Sequence, residues 1–286
     1  MRNYEIVSDS SSDLDLKFIK ENNINIVPFS VSFDDNTYYR ENIDITVDEF
    51  YKKLVTTTSV KTSLPSIQAY LDVFTPIVEK GNDVLCICLS SKLSGSYQSA
   101  VNAKEILNEE YPDAVINIID SRSATGGQGH IVKEALWGKV NGLSIEENKI
   151  KLVNILKSTK IYFTLDTLEY LSRGGRIGKG AALAGTLLDI KPILSLDEGE
   201  IQPVGKIRRR KKAIEQVMLV VTEEVKKLGG NCNIYVCASE FNQEAFNFFE
   251  EVKNRFNLEK INMYRVGVTI GVHTGPGVLG IGVSLK

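Results

Sequence analysis

The feature that most constrains the fold is a repeated order of elements. Short, almost uninterrupted apolar runs each give way to a serine-rich loop and then to a helical stretch. Residues 4–7 lead into Ser8-Asp9-Ser10-Ser11-Ser12-Asp13. Residues 84–89 lead into Ser90-Ser91-Lys92-Leu93-Ser94-Gly95-Ser96 and a helix to about Glu110. Residues 115–119 lead into Asp120-Ser121-Arg122-Ser123-Ala124-Thr125-Gly126-Gly127 and another helix. Strands apolar on both faces need cover on both faces, and alternation with helices supplies it, so these residues predict a parallel sheet. Residues 25–33 read as a further strand. Between them, Pro65-Ser66 opens a helix striped by Ile67, Tyr70, Leu71, Phe74, Ile77 and Val78, with Ser66 as N-cap and Gly81 beyond its end. Pro76, inside that stripe, is expected to kink or shorten it.

From about residue 161 the order changes. A strand over 161–165 and a short helix over 168–171 precede the turn Arg173-Gly174-Gly175-Arg176-Ile177-Gly178-Lys179-Gly180. Residues 191–196 and 201–206 flank Asp197-Glu198-Gly199-Glu200 as a hairpin. A helix over 209–228, a strand over 233–238, a helix over 243–255 and apolar strands over 263–270 and 278–285 complete the chain. The expected fold class is therefore α/β in two domains. Residues 1–160 form a parallel-sheet domain with anion-binding loops, and residues 161–286 an α+β domain with a mixed sheet.

Composition narrows the function classes. At 286 residues, 43% hydrophobic and 24% charged, the chain is an ordinary globular one. A formal charge of −2 gives no general attraction to nucleic acid or to an anionic membrane. There is no secretory signal and no run of 18 apolar residues, so a cytoplasmic protein with no integral membrane segment is expected. Cys86, Cys88, Cys232 and Cys237 make no C-x-x-C pair, and only His130 and His273 could join them, which argues for core thiols and against a metal site. Residues 174–180 fail the phosphate-loop pattern at both ends. Residues 275–280 match G-x-G-x-x-G but precede a terminal strand with no room for a helix. A nucleotide cofactor is therefore not expected, and the chain is not a kinase by itself.

What remains is a set of hydroxyl-rich loops at the carboxyl edge of a parallel sheet, where ligands of such sheets bind. Helix N-termini and small hydroxyl side chains there suit an anion. Thr62-Ser63-Leu64-Pro65-Ser66 adds a further hydroxyl group, with backbone held extended by the proline. His273, in a glycine-rich loop over 270–277, could donate to a carboxylate. Two other readings use the same residues. Ser94, His273 and Asp9 could form a serine hydrolase triad acting on acyl esters, although no G-x-S-x-G elbow is present. The basic run over 206–212 could mark a nucleic-acid-binding regulator, although it lacks aromatics and belongs to a slightly acidic chain.

Several segments together resemble the DegV family: Ser8-Asp9-Ser10-Ser11-Ser12-Asp13-Leu14, Thr62-Ser63-Leu64-Pro65-Ser66, and Ser90 to Ala100. So do Asp120-Ser121 with the glycines behind it, Leu171-Ser172-Arg173-Gly174-Gly175-Arg176-Ile177, and His273-Thr274-Gly275-Pro276-Gly277. They occur in family order over about residues 3–285. The resemblance implies a two-domain α/β fold that binds a long-chain fatty acid and performs no chemistry alone. In some bacteria such proteins are acyl-binding subunits of a fatty-acid kinase, presenting the carboxylate to a separate ATP-dependent partner. It also implies that Thr62 and Ser94 hold the carboxylate, with His273 near the head group. Ser96 stands where the family often has threonine, and both keep a hydroxyl. The tail is then expected between apolar stretches such as 183–188, 190–196 and 266–270. Arg173 and Arg176, with Arg208 and Arg209 of the basic run, are expected to dock the kinase or to meet a phosphorylated head group.

Overall fold

The computed structural model describes residues 2–57, 59–183 and 190–286. In chain order the first strands and helices are β1 (Tyr4–Asp9), α1 (Leu16–Glu21), β2 (Asn25–Val27), β3 (Ser30–Ser32), β4 (Tyr38–Arg40), α2 (Val47–Leu54), β5 (Lys61–Ser63) and α3 (Ile67–Glu79). Then come β6 (Asp83–Cys88), α4 (Ser96–Glu110), β7 (Ile116–Asp120), α5 (Thr125–Val140) and α6 (Ile145–Leu156). The strands β2-β1-β6-β7 form a wholly parallel sheet, with Val7 opposite Cys86 and Cys86 opposite Ile118. All six residues of β6 are buried, as a strand covered on both faces requires.

The second half contains β8 (Lys160–Thr164), α7 (Glu169–Arg173), β9 (Ile190–Asp197), β10 (Glu200–Arg208), α8 (Arg210–Lys227), β11 (Cys232–Ala238), α9 (Gln243–Arg255), β12 (Asn262–Arg265), α10 (Val268–Thr274) and β13 (Leu279–Leu285). Its sheet runs β10-β9-β8-β13-β11-β12 and is antiparallel except between β11 and β12. The fold is thus two-domain α/β, one sheet parallel and one mixed. One buried apolar cluster joins both sheets, running from Ile6, Leu85 and Ile87 through Ile131 on α5 to Ile161, Leu194 and Tyr235.

Three expectations change. The strand expected over 25–33 is two strands in different sheets: β2 pairs with β1, whereas β3 pairs with β4 and β5 in a small antiparallel sheet. Pro28, which has no N–H to give a ladder, stands at the break. The helix α3 runs through Pro76 and ends beyond it; Ser66 caps its start by accepting from the Ala69 amide (3.1 Å), and Gly81 follows its end at φ 78°. The strand expected over 263–270 ends at Arg265, and α10 begins at Val268. Its first turn is held by Glu41, which accepts from the Val268 amide, the Thr269 amide (3.2 Å) and the Thr269 hydroxyl (2.6 Å). That acceptor lies 227 residues away, so local periodicity carries no sign of it. His273 consequently sits on the last turn of a helix, which Gly275 ends at φ 72°.

Candidate head-group site and cavity

The serine-rich loops form from the sheet outward, and most of their hydroxyls are consumed in holding one another. Ser8 donates to the Ile87 carbonyl (2.9 Å), Ser90 to the Gly199 carbonyl (2.7 Å) and Ser91 to Asp120 (2.5 Å). Asp9, fully buried, gathers four donors: Ser11 Oγ, Ser96 Oγ (2.9 Å), Gln128 Nε2 (2.8 Å) and the Leu89 amide (2.9 Å). Ser96 also meets the Tyr70 hydroxyl at 2.7 Å. The expectation that these loops present one collective anion site is corrected: most of their hydroxyls fasten loops. The Ser96 side chain is bound between Asp9 and Tyr70.

Between the two sheets lies a cavity of about 910 Å³, including its open mouth. Leu89, Leu93 and Ala124 line it from the parallel-sheet side; Ile161, Phe163 and Leu196 line it from the mixed sheet. Thr62, Ser94, His273 and Arg176 line it too, so the three residues implied by resemblance are brought to one cavity. The Thr62 hydroxyl and His273 Nε2 are 3.1 Å apart. Ser94 is half-buried, and its hydroxyl accepts from the Ser96 amide (3.3 Å). Thr62 belongs to β5, opposite Val31, and Ser94 to the turn before α4, so three separate elements supply this end.

Burial, helped by the nearby Arg176 charge, lowers the His273 pKa to about 4, so the ring is neutral at pH 7. A neutral imidazole and two hydroxyls offer hydrogen-bond donors without adding a positive charge. Arg176 supplies the cation. Its Nε donates to the Leu93 carbonyl (3.1 Å) and Nη1 to the Gly174 carbonyl (2.7 Å), which fixes it at the rim. Gly174 is required by close approach, because a Cβ there would lie 2.0 Å from His273 Nδ1.

The four arginines are not gathered in one place. Arg176 lines the cavity, whereas Arg173 pairs with Glu169 and lies over the Tyr170 ring, outside the lining. Arg208 and Arg209 are exposed at the far end of β10. Gly178, just after Arg176, packs on the Ile201 carbonyl at the near end, and Arg208 lies seven steps along the strand from Ile201, roughly 20 Å. Residues 184–188 of the expected tail wall lie outside the described residues, while Leu196, Val266 and Ile270 do line the cavity. Thr125, Thr269 and Thr274 line it as well; Thr125 and Thr274 fall in segments already singled out, whereas Thr269 carries no distinguishing mark in the sequence. The triad geometry is absent among the described residues: His273 Nε2 meets Thr62 rather than Ser94, and the Asp9 donors do not include His273. No group of three or more His, Cys, Asp or Glu among them could hold a metal, and no helix among them is long and apolar enough to cross a membrane.

The family model described as "Uncharacterised protein, DegV family" matches residues 3–286. The chain belongs to the DegV family. A DegV domain-containing protein of Clostridium acetobutylicum is 37% identical over 277 residues, covering 97% of this chain and 96% of that one. Among solved structures, a stearic acid-binding protein from Eubacterium ventriosum superposes with a TM-score of 0.94 at 39% identity, covering 99% of this chain and 98% of that one. A DegV family protein from Thermus thermophilus, solved for its fatty acid binding, gives 0.90 at 30% identity over 100% of both chains. DegV of Bacillus subtilis, a fatty acid binding protein, gives 0.85 at 30% identity, again over 100% of both.

Proposed function

We propose that this DegV protein binds one long-chain fatty acid, with Thr62, Ser94 and His273 receiving the carboxylate and the cavity enclosing the tail. The observation that carries this reading is a cavity, apolar along both sheets, whose lining includes the Thr62 and Ser94 hydroxyls, a neutral histidine and a rim arginine. The likeness to the Eubacterium, Thermus and Bacillus proteins supports it. Burying a methylene is worth roughly 0.8 kcal/mol, so about fourteen of them contribute on the order of 10 kcal/mol before ordering costs. The tail therefore supplies most of the affinity, and the polar end selects a free acid and offsets desolvation of its charge.

In this reading residues 1–160 and 161–286 act as two domains that share the ligand, one giving most of the head-group contacts and the other most of the tail wall. The protein has no catalytic residue and needs no cofactor. It works in the cytoplasm, presenting the carboxylate to a separate ATP-dependent fatty-acid kinase. Arg176 is the phosphate contact nearest the head group, and Arg173, Arg208 and Arg209 are docking residues for that partner.

Mass spectrometry of lipid extracted from the purified protein tests the core of this reading: a free C16 to C18 acid is expected, and extracts with no amphiphile would overturn it. Replacing both Thr62 and Ser94 by alanine should weaken palmitate binding about 30- to 1,000-fold with the melting temperature of the empty protein unchanged, because each lost hydrogen bond to a charged group is worth roughly 1–2 kcal/mol.

A further inference from the structure

We propose that Asp13 and Glu41 form a one-proton clasp on the start of α10, positioning His273 in the head-group site and releasing it when that proton is lost. The inference rests on the fatty-acid reading of the site and adds how that site is held. Glu41 is buried and accepts from Ser10 Oγ (2.6 Å), from the Thr269 hydroxyl (2.6 Å) and from the first two amides of α10. These four donors fill its acceptor positions and so favour its ionised form against burial, which acts to raise its pKa. Asp13 is the opposite: both its oxygens are buried, and among the described residues neither has a hydrogen bond of normal geometry, the Thr125 hydroxyl and the Gly267 amide being the donors nearby.

The two carboxylates converge. A Cβ at Gly267, the residue before α10, would lie 2.3 Å from Asp13 Oδ1 and 2.6 Å from Glu41 Oε1. Two carboxylates meeting over one glycine in a dry site cannot both be ionised. Since the donors of normal geometry point at Glu41, the proton belongs to Asp13, which can then donate where its anion could only repel. Burial and the Glu41 charge push the Asp13 carboxyl well above the usual carboxylate range, and the nearby Thr125 hydroxyl and Gly267 amide only moderate this.

α10 is only seven residues long, so its start and end move together. Its far end carries His273, pressed against Gly174 with no slack and in contact with Thr62, while Thr269, Ile270 and Thr274 line the cavity. Loss of the Asp13 proton puts a second negative charge beside Glu41. The relief is for the start of α10 to draw away, which shifts His273.

The groups facing Asp13 from each neighbouring element are few. Asp9 of β1 is held by its four donors, and Tyr51 of α2 donates to the Val266 carbonyl (3.0 Å). Cys237 of β11 faces it too; Glu240 and Arg265 stand further out beside Tyr51, and Arg265 is paired with Asp48. Burial drives the Tyr51 hydroxyl well above its ordinary range and the Cys237 thiol up to about 12, so neither competes near neutrality.

The test begins on the empty full-length protein. Infrared spectra at pH 7 should contain a buried protonated-carboxyl band that the Asp13→Asn variant lacks. Amide exchange protection at Val268 and Thr269, followed upward from pH 7, should fall about tenfold in the wild type and stay flat in the variant. Palmitate affinity should follow the same pattern. Absence of the carboxyl band in the wild type, or a variant that tracks the wild type across pH, overturns the clasp. The wild-type measurements need no variant, so a poorly folding Asp13→Asn does not protect the idea. A clasp that responds while palmitate binds at no pH locates the failure in the fatty-acid reading instead.

Discussion

Asp9 and Asp13 stand four residues apart in one serine-rich segment, and the carboxylate oxygens of both are shielded from water. Asp9 draws donors from four places in the chain, and Asp13 has no hydrogen bond of normal geometry among the described residues. The difference comes from where each side chain lands. Asp9 closes the parallel sheet, where loops after β6 and at the start of α5 bring amide and hydroxyl donors. Asp13 turns out at φ 50° toward the second sheet and meets another acid. A buried acid is therefore a fastener or a source of tension according to its donors, and residue type alone does not say which.

The comparison can be broken most forcefully at Asp9. Asp9→Ala would strand Ser11, Ser96, Gln128 and the Leu89 amide, and a loss of about 3–4 kcal/mol in denaturant unfolding is expected; a loss below about 1 kcal/mol would mean the network is ornamental. The histidines extend the comparison to groups that burial keeps neutral. His130 and His273 are both lowered to about 4, by burial first, against an ordinary value near 6.5. The unfolded chain binds more protons in that window, so their contribution is complete above pH 6.5 and is lost as the pH falls toward 4. By pH 5 each should have given up on the order of 2 kcal/mol. His130→Gln should remove its share of the slope in unfolding free energy between pH 7 and 5; an unchanged slope would refute the assignment.

Asp13→Asn imitates the protonated acid and should shift stability at pH 7 by less than about 1 kcal/mol, in either direction. Asp13 has a raised folded-state pKa, so its contribution is complete below the unfolded value of about 3.9 and declines as the pH rises through the folded one. The variant should gain on the wild type with each step upward in pH, as parallel melts at pH 7 and 9 would reveal. The smallest effect belongs to Ser91→Ala, which removes one exposed bond to Asp120 and should cost under about 0.5 kcal/mol by the same unfolding assay.

Much of the fold was legible because parallel strands such as β6 are apolar throughout and helices such as α3 carry their own caps. The failures were at places governed by distant partners. The stretch after Arg265 looks like a strand, being rich in Val and Ile, and it becomes a helix because Glu41 completes its first turn. In the loops, serines that face a cavity and serines that bind neighbours look alike in sequence; only the tertiary fold sends Ser96 to Asp9 and leaves Ser94 on the cavity. Thr62, Ser94 and His273 were singled out by likeness to a family rather than by residue chemistry. Arg176 is expected from sequence either to dock a kinase or to meet a phosphorylated head group, and its place on the cavity rim depends on the carbonyls of Leu93 and Gly174, which no pattern of side chains encodes.

The cavity lies within the apolar cluster that joins the two sheets. A guest chain there would complete the interior much as a borrowed side chain would. Filling it should then bind the halves together, so that melting temperature tracks the supply of free lipid and an unloaded molecule opens sooner to proteases. Lifetime would become a report on lipid abundance.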